Sequence, residues 1–181
     1  MSGRFLDRRD AGRQLAQRVA ALGLDHPIVY ALPRGGVPVA AEIAAVIGAP
    51  LDLVLVRKIG APMQPELAVG AVVDGDAPEL VINDDIARQT GATQEYIDRV
   101  RDRELAEIER RRRLYLADRP RLDPKGRTAI VVDDGIATGA TAIVALHALR
   151  KRGAARLVVA VPVAPPDTVD RLAREADEVI C

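Results

Sequence analysis

The sequence predicts an α/β domain whose mainly parallel, twisted sheet is flanked by helices. Short apolar runs rich in β-branched residues, typical of buried strands, alternate with longer stretches of helical periodicity. Three of these strands lead directly into a charged or glycine-rich turn, and open α/β sheets bind ligands just beyond the carboxyl ends of their strands. The chain has 181 residues, 49% of them apolar, which is enough for one core of Val, Leu, Ile and Ala.

The first third of the chain alternates helices with strands. Its opening helix is amphipathic, because Leu15, Val19 and Leu22 share one face. The expected elements are a helix over Asp10–Leu22, a strand from Ile28, a helix over Val39–Ile47 and a strand from Leu53 that ends in the cations Arg57 and Lys58.

The middle third interrupts this alternation. Apolar runs at Leu67–Val73 and Leu80–Ile82 flank the turn signature Asp74-Gly75-Asp76, which indicates a hairpin. A helical segment of about 83–118 is expected to be inserted next, with a long charged helix over Tyr96–Tyr115. The basic cluster Arg110–Arg113 on that helix is interpreted as a solvated face, with an anion site or a subunit contact as the alternative.

The last third resumes the alternation of strands and helices. Its expected elements are a strand over Thr128–Val132, a helix from Gly139 to Arg152, a strand over Ala154–Val161, a helix over Thr168–Arg174 and a final strand over Glu178–Cys181. We therefore expect a single domain over 1–181.

The segment Val131–Thr141 carries the strongest functional signal. A strand ends in two acids, Asp133 and Asp134, and a turn of small residues and hydroxyls then opens a helix. Backbone N–H groups near Ala137, Gly139 and Ala140, the hydroxyls of Thr138 and Thr141 and the positive end of the helix dipole suit a phosphate. Carboxylates only accept hydrogen bonds and repel phosphate, so the two acids suit ribose hydroxyls or a magnesium ion.

Two other nucleotide motifs fail on residue type. A P-loop requires Gly-x-x-x-x-Gly-Lys-Ser/Thr, whereas the spacing from Gly135 to Gly139 is one residue short and Ala140 stands where the lysine belongs. A dinucleotide fingerprint requires Gly-x-Gly-x-x-Gly, which does not occur here.

The segment Val131–Thr141 resembles the phosphoribosyl-pyrophosphate (PRPP) signature of type I phosphoribosyltransferases. The resemblance covers the core from about Ile28 to Val161, and it implies that the loop Ala137–Thr141 binds the 5-phosphate of PRPP. It also implies that Arg34, Gly35, Gly36, Arg57 and Lys58 bind the pyrophosphate. Gly35 and Gly36 are expected to adopt backbone angles forbidden to other residues and to offer N–H groups to an anion, and Arg34 offers a planar fork for diphosphate.

The activity implied by the resemblance is phosphoribosyl transfer to a nitrogen nucleophile, with release of pyrophosphate. Asp133, Asp134, Lys58 and Arg34 are the expected catalytic residues, and Asp133 and Asp134 would hold Mg²⁺ directly or indirectly. The acceptor, expected to resemble a nucleobase, is unassigned. Many relatives build a hood over the base from a C-terminal tail, which is expected either to be absent after Cys181 or to be missing because the sequence is truncated. The alternative is a non-catalytic regulator that senses PRPP or nucleotides on the same fold.

Composition restricts the remaining function classes. A formal net charge of zero argues against nonspecific nucleic-acid binding, and one cysteine, Cys181, excludes a disulfide framework. Without an apolar span or a signal peptide, the expected location is the cytoplasm, without a membrane partner, as a homo-oligomer. Structural roles are expected for His26 and His147, and solvated positions for Glu42 and Asp52.

Overall fold

The computed structural model describes residues 5–181, which form two compact units. The first unit runs to Val54 and resumes over Leu122–Cys181, and the second comprises Leu55–Arg121. The inserted segment expected at about 83–118 falls within the second unit. In chain order the elements are α1 (Arg8–Ala20), β1 (Ile28–Ala31), α2 (Gly36–Ile47), β2 (Leu51–Leu53), β3 (Val56–Gly60), β4 (Ala68–Val73), β5 (Glu79–Ile82), α3 (Asp84–Thr90), α4 (Gln94–Leu116), β6 (Thr128–Val132), α5 (Ala140–Lys151), β7 (Arg156–Ala160), α6 (Pro166–Glu175) and β8 (Glu178–Ile180).

The first unit is built on a five-stranded sheet in which every pairing is parallel. The strand order is β2-β1-β6-β7-β8. The central strands β1 and β6 are buried along their whole length, as expected for strands covered on both faces. Helices flank this sheet, so the predicted fold class is confirmed.

The helices of the first unit begin and end where short-range signals place them. The side chain of Asp7 caps α1 by accepting a hydrogen bond from the N–H of Asp10 at 2.8 Å. Gly48 ends α2 in the left-handed conformation, with φ of 64°. Helices α1 and α2 pack closely, since a Cβ atom at Gly12 would lie 2.9 Å from the Val39 carbonyl oxygen.

The second unit contains a three-stranded antiparallel sheet, β3-β4-β5, with α3 and α4. The predicted hairpin at Asp74–Asp76 is confirmed, and Thr93 caps α4 through a 3.2 Å bond from the N–H of Tyr96. One apolar cluster of this unit comprises Ile59, Ala61, Val69, Ala87, Ile97 and Val100.

Three expectations about individual segments were wrong. The strand from Leu53 does not run into its two cations: β2 ends at Leu53, and Arg57 and Lys58 lie inside β3. Helix α2 begins three residues earlier than expected, at Gly36. Asp52 is buried rather than solvated, because its carboxylate accepts bonds at 2.8 Å from the N–H groups of Leu53 and Leu122.

The basic cluster Arg110–Arg113 does not form one solvated face. Arg110 and Arg111 pair with Glu107 of the same helix. Arg112, in contrast, is buried and lies 3.0 Å from Asp74. Within a low-dielectric core such a charge requires its partner, so Arg112 has a structural role.

Candidate functional site

The register of β1 and β6 brings two of the predicted loops together. Ala31 and Val132, the last residues of these strands, are paired, and the N–H of Leu32 donates to the Val132 carbonyl at 2.9 Å. Both chains leave the sheet side by side at its carboxyl edge. The Arg34–Gly36 turn and the acids Asp133 and Asp134 therefore lie next to each other.

Close approach, rather than unusual backbone angles, requires the two glycines of the turn. A Cβ atom at Gly36 would lie 2.5 Å from the Val132 carbonyl oxygen, and one at Gly35 would overlap the carboxylate of Asp134. Gly35 has ordinary helical angles, and the N–H of Gly36 donates to Leu32 within the protein. The expectation of forbidden backbone angles at these glycines, and of an N–H offered by Gly36, was therefore wrong.

Arg34 lies at the start of this turn, after a cis peptide bond that joins it to Pro33. Arg34 is exposed, and its guanidinium has no hydrogen-bond acceptor or ion-pair partner among residues 5–181. A guanidinium in this position is available to an external anion.

The two acids differ in their surroundings. Asp133 accepts a hydrogen bond from the N–H of Asp134 at 2.8 Å, and its carboxyl is partly buried. Burial, together with the neighbouring carboxylate of Asp134, raises the pKa of Asp133 to about 6. Asp134 instead lies 2.7 Å from the Nε of Arg8 on α1, a contact that the sequence pattern did not reveal.

The loop after the acids is anchored from α6. The hydroxyl of Thr168, which is fully buried, donates to the Ala137 carbonyl at 2.7 Å. The N–H of Ile136 donates to the Val163 carbonyl at 3.0 Å. Sequence reasoning missed Thr168, although a hydroxyl at the start of a helix is a weak signal for such a contact. These bonds hold the loop in one conformation.

The predicted phosphate-binding residues form the start of α5. Gly139 is the N-cap, with φ of 79°, where glycine is favoured. Within the described part of the chain, the N–H groups of Thr138, Gly139 and Thr141 donate to no protein acceptor. The N–H of Ala140 makes only a 3.5 Å contact with the Thr138 hydroxyl. With Thr138 and Thr141 exposed, this helix start can receive an anion.

Arg57 and Lys58 lie in the second unit, and each has a carboxylate partner. Arg57 is 2.8 Å from Glu104, and Lys58 is 3.0 Å from the almost fully exposed Glu66. Burial raises the pKa of Glu104, but hydrogen bonds from Arg57 and Arg103 outweigh it and keep that pKa below its ordinary value. Arg57 therefore stabilises its own unit, whereas the carboxylate partner of Lys58 is accessible to solvent.

The described residues also limit metal binding and membrane insertion. No group of three or more His, Cys, Asp or Glu residues within 5–181 could hold a metal ion alone. In the same part of the chain, no helix combines the length and the apolar character needed to cross a bilayer.

The family model described as "Phosphoribosyl transferase domain" matches residues 5–181. The chain belongs to this family. The type I phosphoribosyltransferase resemblance of Val131–Thr141 is thereby confirmed at the level of family and fold.

Relatives of this phosphoribosyl transferase domain include proteins of two Mycobacterium tuberculosis strains. Both are named "Putative phosphoribosyl transferase" and are 50% identical over 177 residues. The match covers 98% of this chain and 40% of each relative. The chain thus spans about two fifths of the length of these curated relatives.

Solved structures agree with the fold. The protein TT1426 from Thermus thermophilus is 48% identical with a TM-score of 0.83, over 98% of this chain and 83% of that one. A purine phosphoribosyltransferase from Pyrococcus horikoshii is 17% identical with a TM-score of 0.53, over 96% of this chain and 80% of that one. At that identity the second likeness concerns the fold alone.

Proposed function

We propose that this phosphoribosyl transferase domain binds PRPP with magnesium and transfers the phosphoribosyl group to a nitrogen nucleophile, releasing pyrophosphate. The observation that carries the proposal is the carboxyl edge of β1 and β6. There, a helix start whose N–H groups lack a protein acceptor, two acids and an arginine without a side-chain partner occur together among the described residues of the first unit. PRPP requires these three features, because it has a monophosphate, two ribose hydroxyls and a pyrophosphate.

The start of α5 would bind the 5-phosphate. Unpaired N–H groups at a helix N-terminus point at an anion, and the helix dipole favours its negative charge. The hydroxyls of Thr138 and Thr141 would add donors at the same place. Because Thr168 and Val163 hold this loop, the donors are oriented before the ligand arrives, which lowers the entropic cost of binding.

The acids would act on the sugar. Asp133 and Asp134 would accept hydrogen bonds from the two ribose hydroxyls, and their negative charge would stabilise the positive charge that develops on the ribose in the transition state. The bond from C1 to the pyrophosphate oxygen breaks with its electrons leaving on pyrophosphate. A bond from C1 to the acceptor nitrogen forms, and the proton on that nitrogen passes to solvent.

Arg34 would stabilise the pyrophosphate that leaves. Its guanidinium is exposed and unpaired within the described residues, so it can form a bidentate contact with diphosphate oxygens. Magnesium would neutralise further charge on the diphosphate. The acids fit such an ion, since Mg²⁺ commonly takes one or two carboxylates and completes its shell with substrate oxygens and water. The pyrophosphate role of Gly35, Gly36, Arg57 and Lys58 remains a prediction.

Calorimetric titration with PRPP, with and without magnesium, tests this proposal. We expect binding by the wild-type protein and at least about a tenfold loss in Asp133→Asn/Asp134→Asn, because bonds to charged acceptors contribute roughly 1.5–3 kcal/mol each. Asp167→Asn is the matched control, since its side chain is 77% exposed on α6. Wild-type affinity in the folded double variant would contradict the role of the acids.

A pyrophosphate-release assay with a panel of nucleobases then tests transfer. We expect release to depend on both PRPP and one acceptor. Binding of PRPP without release for any acceptor would instead support the alternative, a regulator that senses PRPP.

A further inference from the structure

Arg8 reaches the proposed ribose site from a different element. It is the first residue of α1, and its Nε lies 2.7 Å from Oδ2 of Asp134, 126 residues away in the chain. The same carboxylate lies against Gly35, where a Cβ atom would overlap it. Asp134 is thus in contact with Arg8 and close to Gly35, while 27% of its side chain remains exposed.

The helix itself gives no reason for a cation at this position. The N-terminal end of a helix dipole is positive, so an arginine in the first turn is unfavourable. Asp7 caps α1 and Asp10 supplies the favourable negative charge of the first turn. The neighbouring Arg9 makes only a long contact, 3.8 Å, with Glu42. The contact with Asp134 is therefore the interaction that distinguishes Arg8 from Arg9.

Two adjacent carboxylates repel each other, and this repulsion acts against a site that needs both charged. Asp133 and Asp134 are consecutive, and the N–H of Asp134 already donates to Asp133. A guanidinium on Asp134 offsets the repulsion and restricts rotation of the side chain. The exposed part of Asp134 is then left for a ligand.

We propose that Arg8 is a positioning residue, which holds the Asp134 carboxylate oriented toward the ribose hydroxyls of PRPP. This inference rests on the proposed function. Arg8 acts through Asp134 and does not itself contact the sugar phosphate.

A double-mutant cycle in PRPP binding tests the inference. Titration calorimetry compares wild type, Arg8→Ala, Asp134→Asn and the combined variant, with Arg9→Ala as the control that removes the same charge one residue away. We expect Arg8→Ala to weaken PRPP binding about two- to fivefold, the range of an exposed ion pair. In the Asp134→Asn background the same substitution should change affinity less than about 1.5-fold.

Three further readouts separate positioning from a loss of structure. Arg8→Lys keeps the charge and should recover part of the affinity. Inorganic pyrophosphate, which has no ribose hydroxyls, should bind wild type and Arg8→Ala equally. The melting temperatures should agree, since Arg8 is 61% exposed and unfavourable to its helix.

Each other outcome overturns a defined part of the inference. Equal losses with and without Asp134 would show that Arg8 contacts the ligand directly, and unchanged or tighter binding in Arg8→Ala would show that it does not support the site. Equal losses in Arg9→Ala would indicate a general charge effect. Wild-type protein that binds neither PRPP nor ribose 5-phosphate would overturn the proposed function, and the role of Arg8 with it.

Discussion

Replacing Asp133 by asparagine should stabilise the ligand-free protein while weakening its binding of PRPP. The pKa of Asp133 is raised from 3.8 to about 6 by burial and by the adjacent Asp134. Above pH 6 the folded protein must therefore carry a charge that its surroundings disfavour. Asparagine retains an oxygen that can accept the N–H of Asp134 but carries no charge.

The magnitude and the sign follow from linkage. A pKa raised by about 2 in the folded state lowers the free energy of unfolding at high pH by at most about 3 kcal/mol. Because the folded pKa is the higher one, the favourable contribution of the protonated form is complete below about pH 4. It is lost as the pH rises through 6. We expect the free energy of unfolding of Asp133→Asn to exceed that of wild type by about 1–3 kcal/mol at pH 8.

Urea unfolding followed by circular dichroism at pH 8 and pH 4 measures this difference. With typical urea dependences, about 2 kcal/mol moves the midpoint by roughly 1 M. At pH 4 the difference in the free energy of unfolding between Asp133→Asn and wild type should nearly vanish. Asp167→Asn should not be more stable than wild type at either pH. A variant no more stable than wild type at pH 8, or an equal gap at pH 4, would refute the reasoning.

Other expectations concern the turn, the loop and the pyrophosphate. Gly36→Ala should lower the free energy of unfolding by about 1–3 kcal/mol, because its Cβ would lie 2.5 Å from a carbonyl oxygen, whereas Gly135→Ala should be tolerated in the same urea assay. Thr168→Val should lower the free energy of unfolding by about 1–3 kcal/mol, because the Ala137 carbonyl loses its hydrogen bond. Calorimetry should also show that this variant binds ribose 5-phosphate more weakly. Arg34→Ala should weaken binding of PRPP and pyrophosphate but leave ribose 5-phosphate almost unchanged; equal losses for both would contradict its role.

Much of the fold could be predicted because its signals are local. The buried strand Thr128–Val132 was predicted with its observed bounds, and the long helix expected over Tyr96–Tyr115 lies within the observed α4. Strand periodicity and capping residues act over a few positions, so they can be read without knowledge of distant contacts. The strand from Leu53 was misjudged because one continuous apolar run covers the end of β2 and the start of β3.

The candidate site could be predicted only in part. The acids and the turn after them were found because their residue types indicate a ligand. Gly35 and Gly36 were selected for the backbone angles that glycine can adopt, whereas the structure shows that lack of space for a Cβ atom requires them. Asp52 was misjudged because its partner, Leu122, lies 70 residues further along the chain.

The sequence by itself determined the family, the fold class and most of the strands. Only the tertiary structure decided that Arg8 holds Asp134, that Thr168 anchors Ala137 and that Asp134 packs against Gly35. The physical reason is the separation of these residues in the chain. Each contact joins segments that only the parallel strand pairing and helix packing of the first unit bring together. Local sequence periodicity does not predict contacts between residues so far apart in the chain.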